Sequence, residues 1–282
     1  MIGGSRTEIL GSKPSNPLVR ALKRLSLVTM RGILDLVFPQ DCPICEADSD
    51  DSPSLDSGLT GSPFCRACRL ELLAAAGPSC ARCAMPIGPF TDLAGPCREC
   101  VKHKFGFQGA FALGPYSGPI RDLILEMKHS QGAWIAPSLA ALLAEARPPL
   151  RDLALKDPDV LVAPIPLHWR REWSRGYNQA DELARGLARS LGLKHACVLK
   201  RLRSGGILPG MGRTERSKAL QGAFGLKRFA RSKIEGRTIL VVDDVLTTGA
   251  TAGSAARTLK QAGAARVVLA VIGRAEGKSF HL

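Results

Sequence analysis

The chain has 282 residues, 45% hydrophobic and 23% charged, which is ordinary globular composition and enough for one large domain or two smaller ones. No apolar run approaches a membrane-spanning length, and the N-terminus lacks the pattern of a secretory signal, so a cytoplasmic protein is expected. The formal net charge of +14 suits a polyanionic partner, with nucleic acid and a phosphorylated small molecule both compatible.

Residues 1–16 are rich in Gly, Ser, Lys and Pro, the composition of a disordered tail. Residues 17–38 read as an amphipathic helix with Leu18, Leu22 and Leu25 on one face, so 1–37 form a first unit of tail plus helix. Such a helix most simply packs its apolar face on its own protein.

Eight of nine cysteines fall into four C-x-x-C pairs: Cys42 and Cys45, Cys65 and Cys68, Cys80 and Cys83, Cys97 and Cys100. Two residues between thiolates let one tight turn present both sulfurs to a single metal, and with no export signal reduced thiols on zinc are favoured over disulfides. Four pairs can be grouped into two sites in three ways; the sequential grouping is the simplest. Four sulfurs leave no position for water, so about two Zn2+ are expected, structural in role. If all eight sulfurs are thiolates, two zinc ions bring the net charge to about +10. The acidic interval 46–64 reads as an exposed loop, and 38–104 as a module that depends on metal for its fold. Cys197 reads as a small buried apolar residue.

From 105 onward strands and helices alternate. A strand is predicted at 105–115, a helix at 118–127 ending in Lys128 and His129, and a helix at 133–146 closed by Pro148 and Pro149. A buried strand at 160–166 leads into the basic loop LHWRREWSRGYNQ, which carries Arg170, Arg171, Arg175 and Gly176, and a helix then runs from about Asn178 to Leu191. Strand, basic Gly-containing loop and helix together suggest an anion site. Residues 199–231 are basic and aperiodic, and read as a mobile loop or an exposed connection. A last strand is expected at 265–272. The alternation predicts an α/β fold with a mainly parallel sheet, ligands lying beyond the carboxyl ends of the strands.

The most informative stretch is TILVVDDVLTTGAT, residues 238–251. An apolar strand runs into Asp243 and Asp244, then into Thr247, Thr248, Gly249, Ala250 and Thr251, and a helix at about 252–262 follows. Backbone N–H groups at the turn and the helix start, threonine hydroxyls and a glycine that permits close approach favour a bound phosphate. The aspartates repel phosphate but suit sugar hydroxyls beside it. One phosphate with two vicinal hydroxyls at that spacing describes a ribose 5-phosphate.

This stretch resembles the phosphoribosyl-pyrophosphate (PRPP) signature of type I phosphoribosyltransferases. With the segments FPQDCPIC, the four C-x-x-C pairs, PIPLHWRREWSRGYNQ, GAF at 222–224 and VVDDVLTTGATA, residues 38–274 resemble the ComF family of phosphoribosyltransferase-like competence proteins. The resemblance implies an N-terminal double zinc ribbon followed, over 105–282, by a type I phosphoribosyltransferase domain. It implies that Asp243 and Asp244 take the ribose 2- and 3-hydroxyls and that residues 247–251 hold the 5-phosphate. Arg175, Gly176 and Lys128 would serve the pyrophosphate, with Mg2+. His129 replaces the family's aromatic residue, and Leu208 and Ala219 stand where the family has Gln and Asn. The implied chemistry is pentosyl transfer from PRPP to a nitrogenous base, and the implied setting is DNA uptake. The alternative is a nucleic-acid-binding protein, with single-stranded DNA or DNA-processing proteins as partners, whose PRPP pocket is regulatory.

Overall fold

The computed structural model describes residues 41–47, 62–88, 96–129, 132–168, 173, 175–202 and 219–275. The helix expected at 17–38, most of the acidic interval, Arg170, Arg171 and Leu208 lie outside the described residues. In chain order the elements are α1 (Arg66–Ala74), α2 (Arg98–Lys102), β1 (Gly109–Pro115), α3 (Gly118–Glu126), a 3-10 turn (Gly132–Ile135), α4 (Ala136–Ala146), α5 (Pro148–Lys156), β2 (Leu161–Pro164), α6 (Gln179–Leu191), β3 (Lys194–His195), β4 (Leu199–Arg201), β5 (Phe224–Leu226), α7 (Arg231–Ile234), β6 (Thr238–Leu246), α8 (Ala250–Gln261) and β7 (Arg266–Arg274).

Five strands form one parallel sheet in the order β1-β7-β6-β2-β3. The apolar runs of β6 and β7 are what a central parallel strand needs, because helices cover both faces. Right-handed crossovers decide which face each helix takes. The chain moves one way along the sheet from β1 to β2 and from β2 to β3, so α3, α4 and α6 share a face with Leu113, Val162, Leu240 and Ile272. It moves the other way from β6 to β7, so α8 packs on the opposite face with Val241, Leu269 and Val271. The connections diverge between β2 and β6, and at such a switch point the loops splay apart and leave a crevice at the strands' carboxyl ends.

Three local expectations need correction. Pro148 and Pro149 do not simply close the preceding helix: Arg147 breaks it, and the prolines form the first turn of α5, where a missing N–H costs nothing. The aperiodic region contains an antiparallel pair, β4 with β5, three residues each and too short to show periodicity. Cys197 is not an apolar filler. Its half-buried thiol donates to the Asp181 Oδ1 at 3.1 Å, and His195 Nε2 lies 2.8 Å from the same oxygen. Arg185 occupies the other carboxylate oxygen at 2.8 Å. This hub ties edge strand β3 to α6. Burial opposes ionisation of Asp181, but the bonds from Arg185, Cys197 and His195 outweigh it and hold its carboxyl below the usual range. A depressed carboxylate stabilises the fold above its unfolded pKa, and that contribution fades as pH falls through the folded value. Asp181→Asn is therefore expected to lower the melting temperature at pH 7 and to converge with the parent in acid, which a melting series across pH would read.

Candidate functional site

Two thiol clusters come first in the chain. The Sγ atoms of Cys42, Cys45, Cys65 and Cys68 lie within 4.8 Å of one another, and so do those of Cys80, Cys83, Cys97 and Cys100. This is the sequential grouping. All eight are free thiols, and the separations of 3.6 Å for Cys45–Cys65, 3.7 Å for Cys80–Cys100 and 3.4 Å for Cys83–Cys97 rule out S–S bonds. A tetrahedral zinc with Zn–S bonds of about 2.3 Å spaces its sulfurs by about 3.8 Å, so both sets fit zinc. In each cluster one thiol is lowered to about 7, Cys42 and Cys80: burial acts against this, and backbone N–H groups of the C-x-x-C turns overcome it. The clusters sit on opposite faces of the sheet. Phe64 and Leu72, beside the first, join the core with α3 and α4, and Arg69 in α1 bonds Glu145 of α4 at 2.6 Å. Cys80 and Cys83 join the core under α8.

The signature stretch is β6 and the start of α8. The strand runs on to Leu246, so Asp243 and Asp244 lie inside it and not after it. Alternation then sends consecutive side chains to opposite faces. Asp243 follows Ile239 and Val241 toward α8, where it lines a narrow pocket with Thr247, Gly249 and Thr251. Asp244 follows Leu240 and Val242 toward α3, where Lys128 Nζ meets its Oδ2 at 3.2 Å. Asp243 is half-buried as a residue, yet burial of its carboxyl, followed by the neighbouring Asp244 charge, raises its pKa well above the usual carboxylate range.

Gly249 is the residue before α8, in the left-handed region at φ 76, and no side chain caps the helix across it. The Ala250 N–H donates to Thr248 Oγ1 at 3.4 Å, and the amides that follow it meet the dipole's positive end. A Cβ on Gly249 would fall 2.8 Å from the Phe105 ring. Gly249→Ala is expected to destabilise the fold by about 1–3 kcal/mol, combining the left-handed backbone penalty with that contact. Chemical denaturation would measure it; a change under half a kcal/mol would contradict this account of the turn.

The loop after β2 reaches the same rim. Asn178 caps α6 through the Ala180 N–H at 3.1 Å and donates to the Ile165 carbonyl at 3.1 Å, closing the base of the loop. The single Tyr177 hydroxyl proton is shared between the carbonyls of Met127 and His129, the latter at 2.9 Å, so the segment carrying Arg175 and Gly176 is pinned to the turn carrying Lys128. Burial raises the Tyr177 pKa, keeping the hydroxyl a donor. The structure thus joins Arg175 and Gly176 to Lys128 through Tyr177, and Lys128 to Asp244. Ala219 lies at the start of the segment leading to β5. Two residues escaped the sequence reading. Tyr177, one of two tyrosines in the chain, sits in PIPLHWRREWSRGYNQ, where nothing around it marks a bridging role. Arg274, at the end of the apolar run VVLAVIGR, is only 1% exposed. A charge ending a buried strand was its only signal.

Residues 33–101 match a double zinc ribbon domain, and residues 175–279 a phosphoribosyl transferase domain. The chain is 30% identical over 214 residues to competence protein F of Haemophilus influenzae, an alignment covering 75% of this chain and 90% of the relative. It is 33% identical over 190 residues to the DNA utilization protein YhgH of Escherichia coli, covering 67% and 80% of the two chains. The YhgH of Salmonella typhimurium is 30% identical over 222 residues, covering 74% and 96%. With the paired thiol clusters and the parallel sheet, this similarity along most of the relatives' length means that the chain belongs to the ComF family, a double zinc ribbon joined to a phosphoribosyl transferase domain.

Proposed function

We propose that the chain binds PRPP with Mg2+ at the crevice between β2 and β6, and that it serves DNA handling in the cytoplasm. The 5-phosphate is held by Thr247, Thr248, Gly249, Ala250 and Thr251 at the start of α8, and the ribose hydroxyls by Asp243 and Asp244. Pyrophosphate and Mg2+ lie toward Arg175, Gly176 and Lys128. The observation that carries this reading is a glycine-led start of α8, with a threonine hydroxyl at its first amide, beside an acid pair at the switch point of a parallel sheet. Asp244 and Lys128 face each other at 3.2 Å, and each would gain a partner from the other half of one PRPP molecule. Pentosyl transfer would then proceed by stabilising the departing pyrophosphate with cation and Arg175 while the ribose is held in place. The two zinc ions are structural. The test is calorimetric titration of PRPP and Mg2+ into the full chain. Binding at micromolar concentrations that needs Mg2+ supports the reading; absence of binding sinks it.

A second reading, single-stranded DNA as a partner, is favoured by one exposed side chain. Trp173 lies in the basic block and is 83% exposed. An open indole is a stacking platform for unpaired bases. Trp173→Ala is expected to weaken binding of a single-stranded oligonucleotide about 5- to 100-fold, the loss of one stacked base, and to leave PRPP binding unaltered. Fluorescence anisotropy at several salt concentrations reads this. Equal affinity of the two proteins would remove the indole from any DNA interface. Among the described residues no helix is long and apolar enough to cross a membrane.

A further inference from the structure

Arg274 closes β7 in a place where no charge is expected, with 1% of its surface exposed. Its guanidinium faces backbone carbonyls from two separate parts of the molecule. Nε donates to the Cys83 carbonyl at 2.9 Å, inside the second thiol cluster. Nη1 donates to the carbonyls of Leu246 at 2.9 Å and Thr247 at 2.7 Å, and to that of Ala275. One buried side chain therefore spans from a C-x-x-C turn to the first residue of the phosphate loop.

Two further contacts run in parallel. The Phe105 ring, just after the second cluster, lies against Gly249. The backbone of Gly106 sits so close to α8 that a Cβ there would fall 2.7 Å from the Gly253 carbonyl. Cys80, Cys83, Phe105 and Phe107 share one core with Leu246, Ala252 and Val271. Among the described residues the first cluster has no such relation. Its neighbours Phe64 and Leu72 pack with α3 and α4 on the far face of the sheet.

We infer that Arg274 is a positioning residue that couples the second metal site to the phosphate loop, so that metal on Cys80, Cys83, Cys97 and Cys100 fixes the loop in its anion-accepting shape. The inference deepens the PRPP reading, since it concerns the same loop. Physically, a carbonyl from the Cys83 turn is fixed only while the four sulfurs hold one ion. Without the ion the turn relaxes, one end of the guanidinium loses its anchor, and the Leu246 and Thr247 carbonyls lose a fixed donor. The loop then samples shapes in which the amides of residues 249–252 no longer converge. Linkage makes the effect reciprocal: an anion in the loop must tighten metal in the second site and leave the first unaffected.

The test uses the full chain and reads hydrogen exchange of the peptide covering residues 246–252. Cys97→Ser, which weakens the second site without touching the Cys83 carbonyl's own residue, is expected to speed exchange there about tenfold or more. Cys45→Ser, on the opposite face, is expected to leave that peptide unchanged. Arg274→Lys keeps the charge but spans fewer carbonyls; it should speed exchange of the same peptide while both zinc ions remain bound. Arg274→Met should speed it further. Melting curves and exchange in β2 serve as controls for general loss of stability. Loop exchange that ignores Cys97→Ser, that responds equally to Cys45→Ser, or that is untouched by Arg274→Lys would overturn the coupling. Because none of these measurements contains PRPP, a failure of PRPP to bind would sink the ligand assignment and leave the coupling result standing.

Discussion

Asp243→Asn is expected to leave the fold at least as stable as the parent protein while weakening PRPP about 10- to 100-fold, the loss of one hydrogen bond to a charged group. Two observations combine here. The carboxyl faces a narrow pocket with Thr247, Gly249 and Thr251, and its pKa is raised by burial and by Asp244. A group whose folded pKa lies above its unfolded value costs the native state free energy once the pH rises past the unfolded value, and the cost is complete above the folded pKa. At low pH both states are protonated and the cost vanishes. The variant has no proton to lose. Its advantage over the parent in melting temperature should therefore be absent below about pH 3 and grow toward pH 8. Asp244→Asn should act oppositely on stability, since it leaves Lys128 without the partner 3.2 Å away. Melting curves across pH, paired with calorimetry of PRPP and Mg2+, test both halves. A constant gap at all pH values would refute the account of Asp243's ionisation. Unchanged PRPP affinity in both variants would remove the acids from the sugar site.

The second large effect concerns metal. Purified protein is expected to carry about two zinc ions, and a strong chelator should unfold the segments around both thiol clusters, since structural zinc contributes about 10–16 kcal/mol of apparent binding energy to modules of this kind. Among the described residues Ile44 is the apolar side chain packed against the first cluster, whereas Cys80 and Cys83 belong to the larger core under α8. Elemental analysis gives the count, and circular dichroism with calorimetry gives the loss of structure. A chain that holds no zinc, or that melts at the same temperature after chelation, would refute a structural role. The effect should also reach beyond the clusters. Glu145 on α4 loses its bond to Arg69 when α1 unfolds, whereas Arg147 keeps the carbonyls of Ala112 and Leu113. The first cluster should therefore melt away from the sheet without breaking it.

Local pattern carried much of the organisation. The four thiol pairs, the apolar runs of β2, β6 and β7, and the caps of α6 are dictated by neighbours in sequence, and each lies where its residues put it within a few positions. Boundaries slipped where a strand outlasts its apolar run. Asp243 and Asp244 continue β6 because β7 offers ladder partners as far as Arg274, which no window of sequence reveals. The β4–β5 pair was hidden for a related reason: three residues are too few for a period, and the pairing partner is more than twenty residues away.

Taken alone, the sequence determined that this protein holds metal through paired thiols, folds as an alternating α/β sheet and carries a strand, acid pair and hydroxyl-rich turn suited to a sugar phosphate. These follow from spacing, periodicity and residue chemistry, which act over a few positions of chain. The tertiary structure decided which thiols group together, that the two clusters lie on opposite faces, that the two acids face apart, and that Lys128, Tyr177 and Arg274 link segments far apart in sequence. The physical reason is that crossover handedness and strand order set which distant residues meet, and a buried guanidinium or phenol takes whatever carbonyls the fold brings within reach.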